Sequence, residues 1–293
     1  MNDQMTRNAS ISRERTVVIA GPTACGKSAL ALELAARDGR TVVNADALQV
    51  YANWRILTAR PSVADEAALP HALYGHVARD TPYSVGAWLR DLAPRLARPV
   101  VIVGGTGLYL SALTEGLVDI PATPPALRAD ADARLAAEGV AGLLAELDAA
   151  SRARIDTQNP MRVQRAWEVL QATGRGIADW QADTGPALLP LDQAEALVMR
   201  PQADWLDARI AQRFHGMIAA GAIDEARAEA PFYDPANPSS KAIGAPELMA
   251  YLRGERSLEL AMADAVLSSR QYAKRQRTWF RSRMKKWRDL AVF

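Results

Sequence analysis

The chain has 293 residues, 49% of them apolar and 23% charged, with a formal net charge of +2 and one cysteine. This length allows one large core, or a core with an appended helical lobe, and the composition is that of an ordinary soluble globular protein. No apolar stretch approaches the ~18 residues that span a bilayer. A lone Cys25 excludes an internal disulfide framework and suits a reducing compartment, so the cytoplasm is the expected location.

The opening MNDQMTRNASISRER is polar and lacks an apolar core, so residues 1–15 read as a flexible lead-in and not a secretory signal. TVVIA (16–20) predicts a buried strand; GPTACGKS (21–28) follows it, then the helix ALALELAARD. Strand, glycine-bounded turn and helix match G-x-x-x-x-G-K-[ST], whose backbone N–H groups and helix start form a concave anion site. Gly21, Pro22, Thr23, Ala24, Cys25, Gly26, Lys27 and Ser28 are therefore candidate phosphate-binding residues. Lys27 would reach the terminal phosphates, and the Ser28 hydroxyl would sit on Mg²⁺. Nothing in the loop separates ATP from another diphosphate. Cys25 has two readings: a thiol activated by the helix start, or a small spacer.

TVVN (41–44) is a second strand, ending at Ala45-Asp46. Asp46 at a strand's carboxyl end is either a turn or capping residue, or a general base facing the phosphate site. YSVGAWLRDLAPRL (83–96) has the pattern of an amphipathic helix, and PVVIVGGTG (99–107) that of a strand buried on both faces. This strand ends in Gly104-Gly105-Thr106, where a nucleotide hydrolase would carry a magnesium-holding Asp. The turn is an ordinary strand-to-helix connection or one that lets backbone approach a ligand. The pattern is doubly wound α/β, with ligands expected off the carboxyl ends of the strands.

After PATPPALR (121–128) the chain turns helical to about residue 180, with the first helix expected to stop around Gly139 and a second from Asn159-Pro160 to Gly174. EALVMRP (195–201) reads as a strand returning to the sheet, and DWLDARIAQRFHGMIAAG as a helix with Asp204 as N-cap and Gly221 at its end. FYDPANPSS (232–240) is a loop, and helix is expected from there to about Trp287. The predicted fold is a P-loop NTPase-like parallel sheet core (16–124 and 195–293) with an inserted helical lobe (125–194) and a basic C-terminal helix.

Charge is unevenly spread. Residues 265–293 hold nine of the 35 Lys/Arg and one of the 33 Asp/Glu, leaving 26 cations against 32 acids elsewhere. Phe280, Met284 and Trp287 fall at i, i+4, i+7 and predict a core-facing stripe. Lys274, Arg275, Arg277 and Arg281 would occupy the remaining surface, as a solvated face or as phosphate contacts. Arg128, Arg162 and Arg165 add a second cationic surface on the helical lobe. His71, His76 and His215 lack zinc-type spacing and read as core or capping residues.

GPTACGKS, NADALQVY, LPHALYGH, YSVGAW, VGGTGLYLSALTEGL, NPMRVQRAWEVLQATG, RIAQRFHGMIAAG and RQYAKRQRTWFR, in this order, resemble the tRNA dimethylallyltransferases over about residues 16–287. The resemblance implies transfer of a dimethylallyl group from its diphosphate to N6 of adenosine 37, beside the anticodon of tRNAs that read codons beginning with U. It implies that Thr23, Lys27, Ser28 and Arg213 bind the diphosphate with Mg²⁺, that Asp46 takes the amine proton, and that Thr106 orients the amine. It places tRNA contacts at Asp46, Ala47, Leu48 and Gln49, at Thr106, at Arg128, at Met161, Arg162, Val163, Gln164 and Arg165, at Lys241 and Gly244, and at Lys274, Arg275, Arg277 and Arg281. The partners implied are a tRNA anticodon stem-loop and dimethylallyl diphosphate; a monomer is expected. Two segments depart from the family pattern: RILTARPS (55–62) where D-I-G-T-A-K-P is usual, and GAPE (244–247) where G-Y-K-E is usual. The competing readings are an ATP-using small-molecule kinase and a non-enzymatic RNA-binding protein.

Overall fold

A computed structural model describes residues 11–292. Contacts divide the chain into two units, one running to Glu115 and resuming at Leu188, the other Gly116–Ala187. In the first, β1 (Val17–Ala20) leads to α1 (Lys27–Asp38), β2 (Val42–Asn44), α2 (Val63–Ala68), β3 (His71–Ala72), α3 (Val85–Leu92), β4 (Val101–Gly104) and α4 (Gly107–Glu115). The second holds α5 (Pro125–Glu146), α6 (Ala149–Arg154), α7 (Pro160–Thr173) and α8 (Ile177–Ala182). The first unit then resumes with β5 (Glu195–Pro201), α9 (Ala203–Ala219), α10 (Ala222–Glu229), α11 (Ala245–Leu252), α12 (Leu258–Arg283) and β6 (Arg288–Val292).

The sheet order is β3-β2-β4-β1-β5-β6, with every pairing parallel. Successive side chains of a strand point to opposite faces, and here both faces are buried. Val18, Ala20, Val43 and Ile102 pack with Trp88, Leu110, Leu113 and Phe280. Val17, Ile19, Val42 and Val101 pack with Leu34 of α1 and Ile210 of α9. That two-sided burial explains the unbroken apolar runs. A third cluster joins α9, α11 and α12 through Phe214, Met217, Leu248 and Ala265, with Trp54 and Leu57.

One buried polar residue shapes the end of β2. Asn44 is fully buried; its Nδ2 donates to the carbonyls of Asp46 (2.9 Å) and Leu73 (3.0 Å), and its Oδ1 accepts from the Asp46 N–H (2.8 Å). Trp88 donates to the Asn44 carbonyl at 2.7 Å and stacks on Tyr109 with centroids 4.8 Å apart. Each such bond contributes about 0.5–1.5 kcal/mol net, but an orphaned buried partner costs more. The turn that presents Asp46 is therefore fixed from behind.

The helical unit has its own core of Ala131, Leu143, Val163, Trp167 and Ile177. Gly139 adopts φ +67°, ψ −166° and breaks α5 as expected. Asn159 caps α7 with Pro160 in its first turn, and Gly174 ends it in the left-handed region, donating to the Leu170 carbonyl at 2.8 Å.

Several expectations are corrected. The N-cap of α9 is Gln202, and Asp204 lies in the first turn, where its charge still favours the helix start. The C-terminal helix stops at Arg283 instead of near Trp287, and the chain turns at Met284 into β6 on the open edge of β5. Pairing with a strand nearly ninety residues away leaves no local pattern. The lead-in is held from Ile11, whose side chain is buried against α1, and Arg15 donates to the Gln193 carbonyl; residues 1–10 lie outside the described residues. The contact division puts the helical unit at 116–187, against the 125–194 read from composition. Among the described residues no helix is long and apolar enough to cross a membrane.

Candidate functional site

The phosphate loop leaves β1 in the middle of the sheet. Ala24 (φ +64°) and Gly26 (φ +93°) both take left-handed backbone. At Ala24 this costs about 1–2 kcal/mol, the kind of strain that collects at ligand-binding turns. Lys27 Nζ donates to the Pro22 carbonyl at 3.3 Å, and the Cys25 N–H donates to the same oxygen at 3.3 Å. Ser28 is exposed at the first turn of α1. Cys25 is 1% exposed, its Sγ 3.9 Å from Met199 Sδ, and burial pushes its thiol up against the opposing pull of Lys27. Of its two readings, the small spacer holds; only its backbone can serve the ligand.

Arg213 of α9 reaches the loop, its Nη2 donating to Thr23 Oγ1 at 2.5 Å. Burial pulls this guanidinium below its ordinary value, and the charge of Asp46 pulls it back up. One turn earlier, Arg209 Nε donates to the Ala24 carbonyl at 3.2 Å. Lys27, Arg209 and Arg213 thus gather around one turn of backbone, which is the electrostatics of an anion site. The i, i+4 spacing in DARIAQRF would have revealed Arg209.

Asp46 stands off the end of β2. Its Oδ1 accepts from the Leu48 N–H at 3.0 Å. Its Oδ2 faces Gly105, 3.5 Å from where a Cβ would stand there. Thr106 donates its N–H to the Ala45 carbonyl (3.3 Å) and accepts the Ala47 N–H on Oγ1 (2.9 Å). The glycines before it are steric necessities: a Cβ on Gly104 would lie 2.0 Å from the Ala45 carbonyl oxygen. The glycines of Gly104-Gly105-Thr106 are thus accounted for by close packing of this turn against Ala45 and Gln276.

Thr23, Asp46 and Arg213 line one cavity. Its further walls are Leu48, Leu57, Ile210, Phe214, Met217 and Ile243, with Thr58, Ser269 and Tyr272. Charged and apolar side chains share the lining. Leu57 belongs to the divergent RILTARPS segment and Ile243 precedes the divergent GAPE segment, so both departures border this cavity. Burial first, then the charge of Asp46, raises the Tyr272 phenol above its ordinary value, against the opposing pull of Thr106, Arg275 and Gln276.

The residues predicted to meet tRNA fall into exposed and inward-facing sets. Lys274, Arg275 and Arg281 are exposed on α12 and Arg277 is half-buried; none pairs with a carboxylate among the described residues. Lys241 is exposed. Gly244 is buried, capping α11 at φ +98° with a would-be Cβ 2.9 Å from Leu57, so it offers no surface. Gln49 spends its amide on the carbonyls of Thr58 (2.7 Å) and Ala59 (3.1 Å). In the helical unit, Met161 and Arg162 are exposed, whereas Val163 and Gln164 are buried. Gln164 is bonded to Asp132 at 2.6 Å, and its side chain and that of Val163 serve the unit's core. Arg128 (2.9 Å) and Arg165 (3.7 Å) are anchored by Glu168, which is 1% exposed.

Among the described residues no group of three or more His, Cys, Asp or Glu could hold a metal. The exposed hydroxyl of Ser28 beside a phosphate loop suits an ion such as Mg²⁺, which keeps several waters and takes phosphate oxygens.

The chain matches the IPP transferase family over residues 49–283 and the isopentenyl transferase family over residues 14–69. It is 64% identical over 285 residues to the tRNA dimethylallyltransferase of Cereibacter sphaeroides strain ATCC 17025, covering 96% of this chain and 98% of that one. It is similar to the solved full-length tRNA isopentenylpyrophosphate transferase of Bacillus halodurans, with 30% identity and a TM-score of 0.65 over 95% of this chain and 90% of that one. A eukaryotic dimethylallyltransferase solved acting on tRNA shares the fold, with a TM-score of 0.81 and 24% identity over 95% of this chain and 74% of that one.

Proposed function

The chain belongs to the IPP transferase family, and from that premise we propose that it is a tRNA dimethylallyltransferase that prenylates N6 of adenosine 37 in tRNAs reading codons beginning with U. The observation that carries this reading is the mixed lining of one cavity, where Thr23 of the phosphate loop, Arg213 and Asp46 stand with Leu48, Leu57, Ile210, Phe214 and Met217. A diphosphate with a short hydrocarbon tail matches both kinds of lining.

The adenine amine is a poor nucleophile because its lone pair is delocalised into the ring. The site must therefore stabilise the leaving group and align the amine. The C1–O bond of the donor breaks, the N6–C1 bond forms, and diphosphate departs with the electron pair. Lys27, Arg213 and the loop amides offset the charge that develops on it. Asp46, with Oδ1 tied to Leu48, receives the N6 proton on Oδ2. Thr106 orients the amine. A divalent ion, Mg²⁺ in our reading, would be held by Ser28 and would supply positive charge to the leaving diphosphate.

The target base has to leave the anticodon stack, at a cost of a few kcal/mol. Phosphate contacts offset it: Lys274, Arg275, Arg277 and Arg281 from α12, Lys241, and Arg128, Arg162 and Arg165 from the helical unit. The enzyme acts as a monomer in the cytoplasm, where its substrate tRNA resides.

The test mixes purified protein and Mg²⁺ with unmodified tRNA and either labelled dimethylallyl diphosphate or γ-labelled ATP. Label entering tRNA from the prenyl donor is expected; transfer of the ATP label to a metabolite would replace this reading by a kinase. In the same assay Asp46→Ala should abolish transfer while tRNA affinity stays within a few-fold, and near-normal transfer would remove Asp46 from the role of base.

A further inference from the structure

Gln276 projects from the basic helix α12 towards the phosphate loop and is 5% exposed. Its Oε1 accepts the Thr23 N–H at 2.8 Å, and its Nε2 donates to the Gly105 carbonyl at 2.9 Å. A carboxamide does both at any pH, whereas an ionised carboxylate has no donor and a lysine or arginine has no acceptor. The approach is close, since a Cβ on Gly105 would stand 2.3 Å from Nε2.

We propose that Gln276 is a positioning residue for prenyl transfer, clipping the diphosphate loop to the turn that carries Thr106. The inference rests on the reading of the site given above. With its N–H held by Gln276 and its Oγ1 accepting from Arg213 at 2.5 Å, Thr23 has its hydroxyl proton left to donate to a phosphate oxygen in the cavity. At the other end, the tied Gly105 carbonyl fixes the turn whose Thr106 Oγ1 receives the Ala47 N–H beside Asp46. One amide thus sets the spacing between the leaving-group loop and the amine-orienting turn. It does so from the helix whose other face carries Lys274, Arg275 and Arg281.

Two substitutions test this, each with transfer kinetics, tRNA affinity and melting temperature measured on the full chain. Gln276→Leu removes both arms: kcat/KM for dimethylallyl diphosphate should fall about tenfold or more while KM for tRNA stays within about twofold. Gln276→Glu keeps the acceptor arm, and protonation of the introduced carboxyl restores the donor arm. Its activity relative to wild type should therefore climb about fivefold or more from about pH 8 to about pH 6, because a carboxyl facing a carbonyl is pushed above its reference value of ~4.3. Asp46 and Tyr272 are common to both proteins and cancel in the ratio.

A flat ratio, with a lowered melting temperature and unchanged KM values, would make Gln276 a structural clip only and overturn the proposal. A raised tRNA KM with the diphosphate KM unchanged would overturn it in favour of an RNA contact. Pyrophosphate binding by calorimetry does not depend on transfer. About tenfold weaker binding in Gln276→Leu is expected, and an unchanged Kd sinks the proposal. Wild-type protein that binds pyrophosphate but moves no prenyl group would instead refute the functional reading.

Discussion

Arg213 Nη2 donates to Thr23 Oγ1 at 2.5 Å across the entrance to the phosphate loop, joining residues 190 positions apart. The arginine comes from α9 and the threonine from the turn after β1, so the bond ties α9 to the phosphate loop. Its half-buried guanidinium is prearranged and already partly desolvated. A lysine in its place would keep the charge but lose the planar fork. Arg213→Lys and Arg213→Ala should both reduce kcat for prenyl transfer, Ala by about 10²–10³ as for other prearranged donors to a developing anion. Steady-state kinetics with saturating tRNA measure this. An Ala variant within a few-fold of wild type would remove Arg213 from the cradle.

Asn44 acts one strand away and reads out differently. It serves three backbone groups from a fully buried position. Asn44→Asp is isosteric but turns its donor end into an acceptor facing the carbonyls of Asp46 and Leu73. The variant should lose about 1–3 kcal/mol of stability or more, since buried groups are left unpaired. Below its melting temperature it should also lose transfer, because the Asp46 turn is no longer held. Denaturant titration and the label-transfer assay measure the two effects separately.

Much of this site was legible in the chain, for reasons specific to each part. GPTACGKS announces itself because phosphate chemistry fixes both its glycines and its lysine at set spacings. Asp46 and Thr106 were found as residues at the carboxyl ends of buried strands, where doubly wound sheets place ligands. Gln276 and Tyr272 were not found, because their roles depend on a helix returning from far along the chain to the first turn. Val163 and Gln164 share a contiguous motif with exposed neighbours, but on a helix adjacent residues face different ways and these two are buried. β6 escaped because edge pairing is decided by the partner strand and not by its own five residues.

Asp38 at the end of α1 supplies a pH-dependent term. Its carboxylate, 4% exposed, accepts from Arg37 Nε and Nη2 at 2.7 Å each and also from Arg40. Arg40 in turn holds the carbonyls of Arg15 (3.0 Å) and Ser12 (3.2 Å), fastening the segment after Ile11. The hydrogen bond from Arg37 first, and Arg40 next, hold the Asp38 carboxyl below its ordinary value. A depressed folded value means the stabilisation is complete above the unfolded value of ~3.9 and drains away as pH falls through the folded one. Asp38→Asn should therefore cost about 1–2 kcal/mol near neutrality. The gap from wild type should close as pH falls well below ~3.9. Thermal melts across pH check this, and a gap that widens in acid would contradict it.

The cations on and just before α12 divide by whether a partner already neutralises them. Lys274, Arg275 and Arg281 are exposed, with no carboxylate partner among the described residues, whereas Arg253, just before that helix, is bridged to Glu255 at 2.5 Å. If the unpaired set meets tRNA phosphates, each contact releases counterions from the RNA. Replacing one of them by alanine should reduce the slope of log K against log salt by about 0.7–0.9. Arg253→Ala should leave the slope unchanged, because its charge is already spent within the protein. Filter binding of unmodified tRNA over a salt series makes the comparison. Equal slopes for wild type and Lys274→Ala, Arg275→Ala and Arg281→Ala would turn this face of α12 into a merely solvated one, and would move the tRNA contacts to Lys241 and the helical unit.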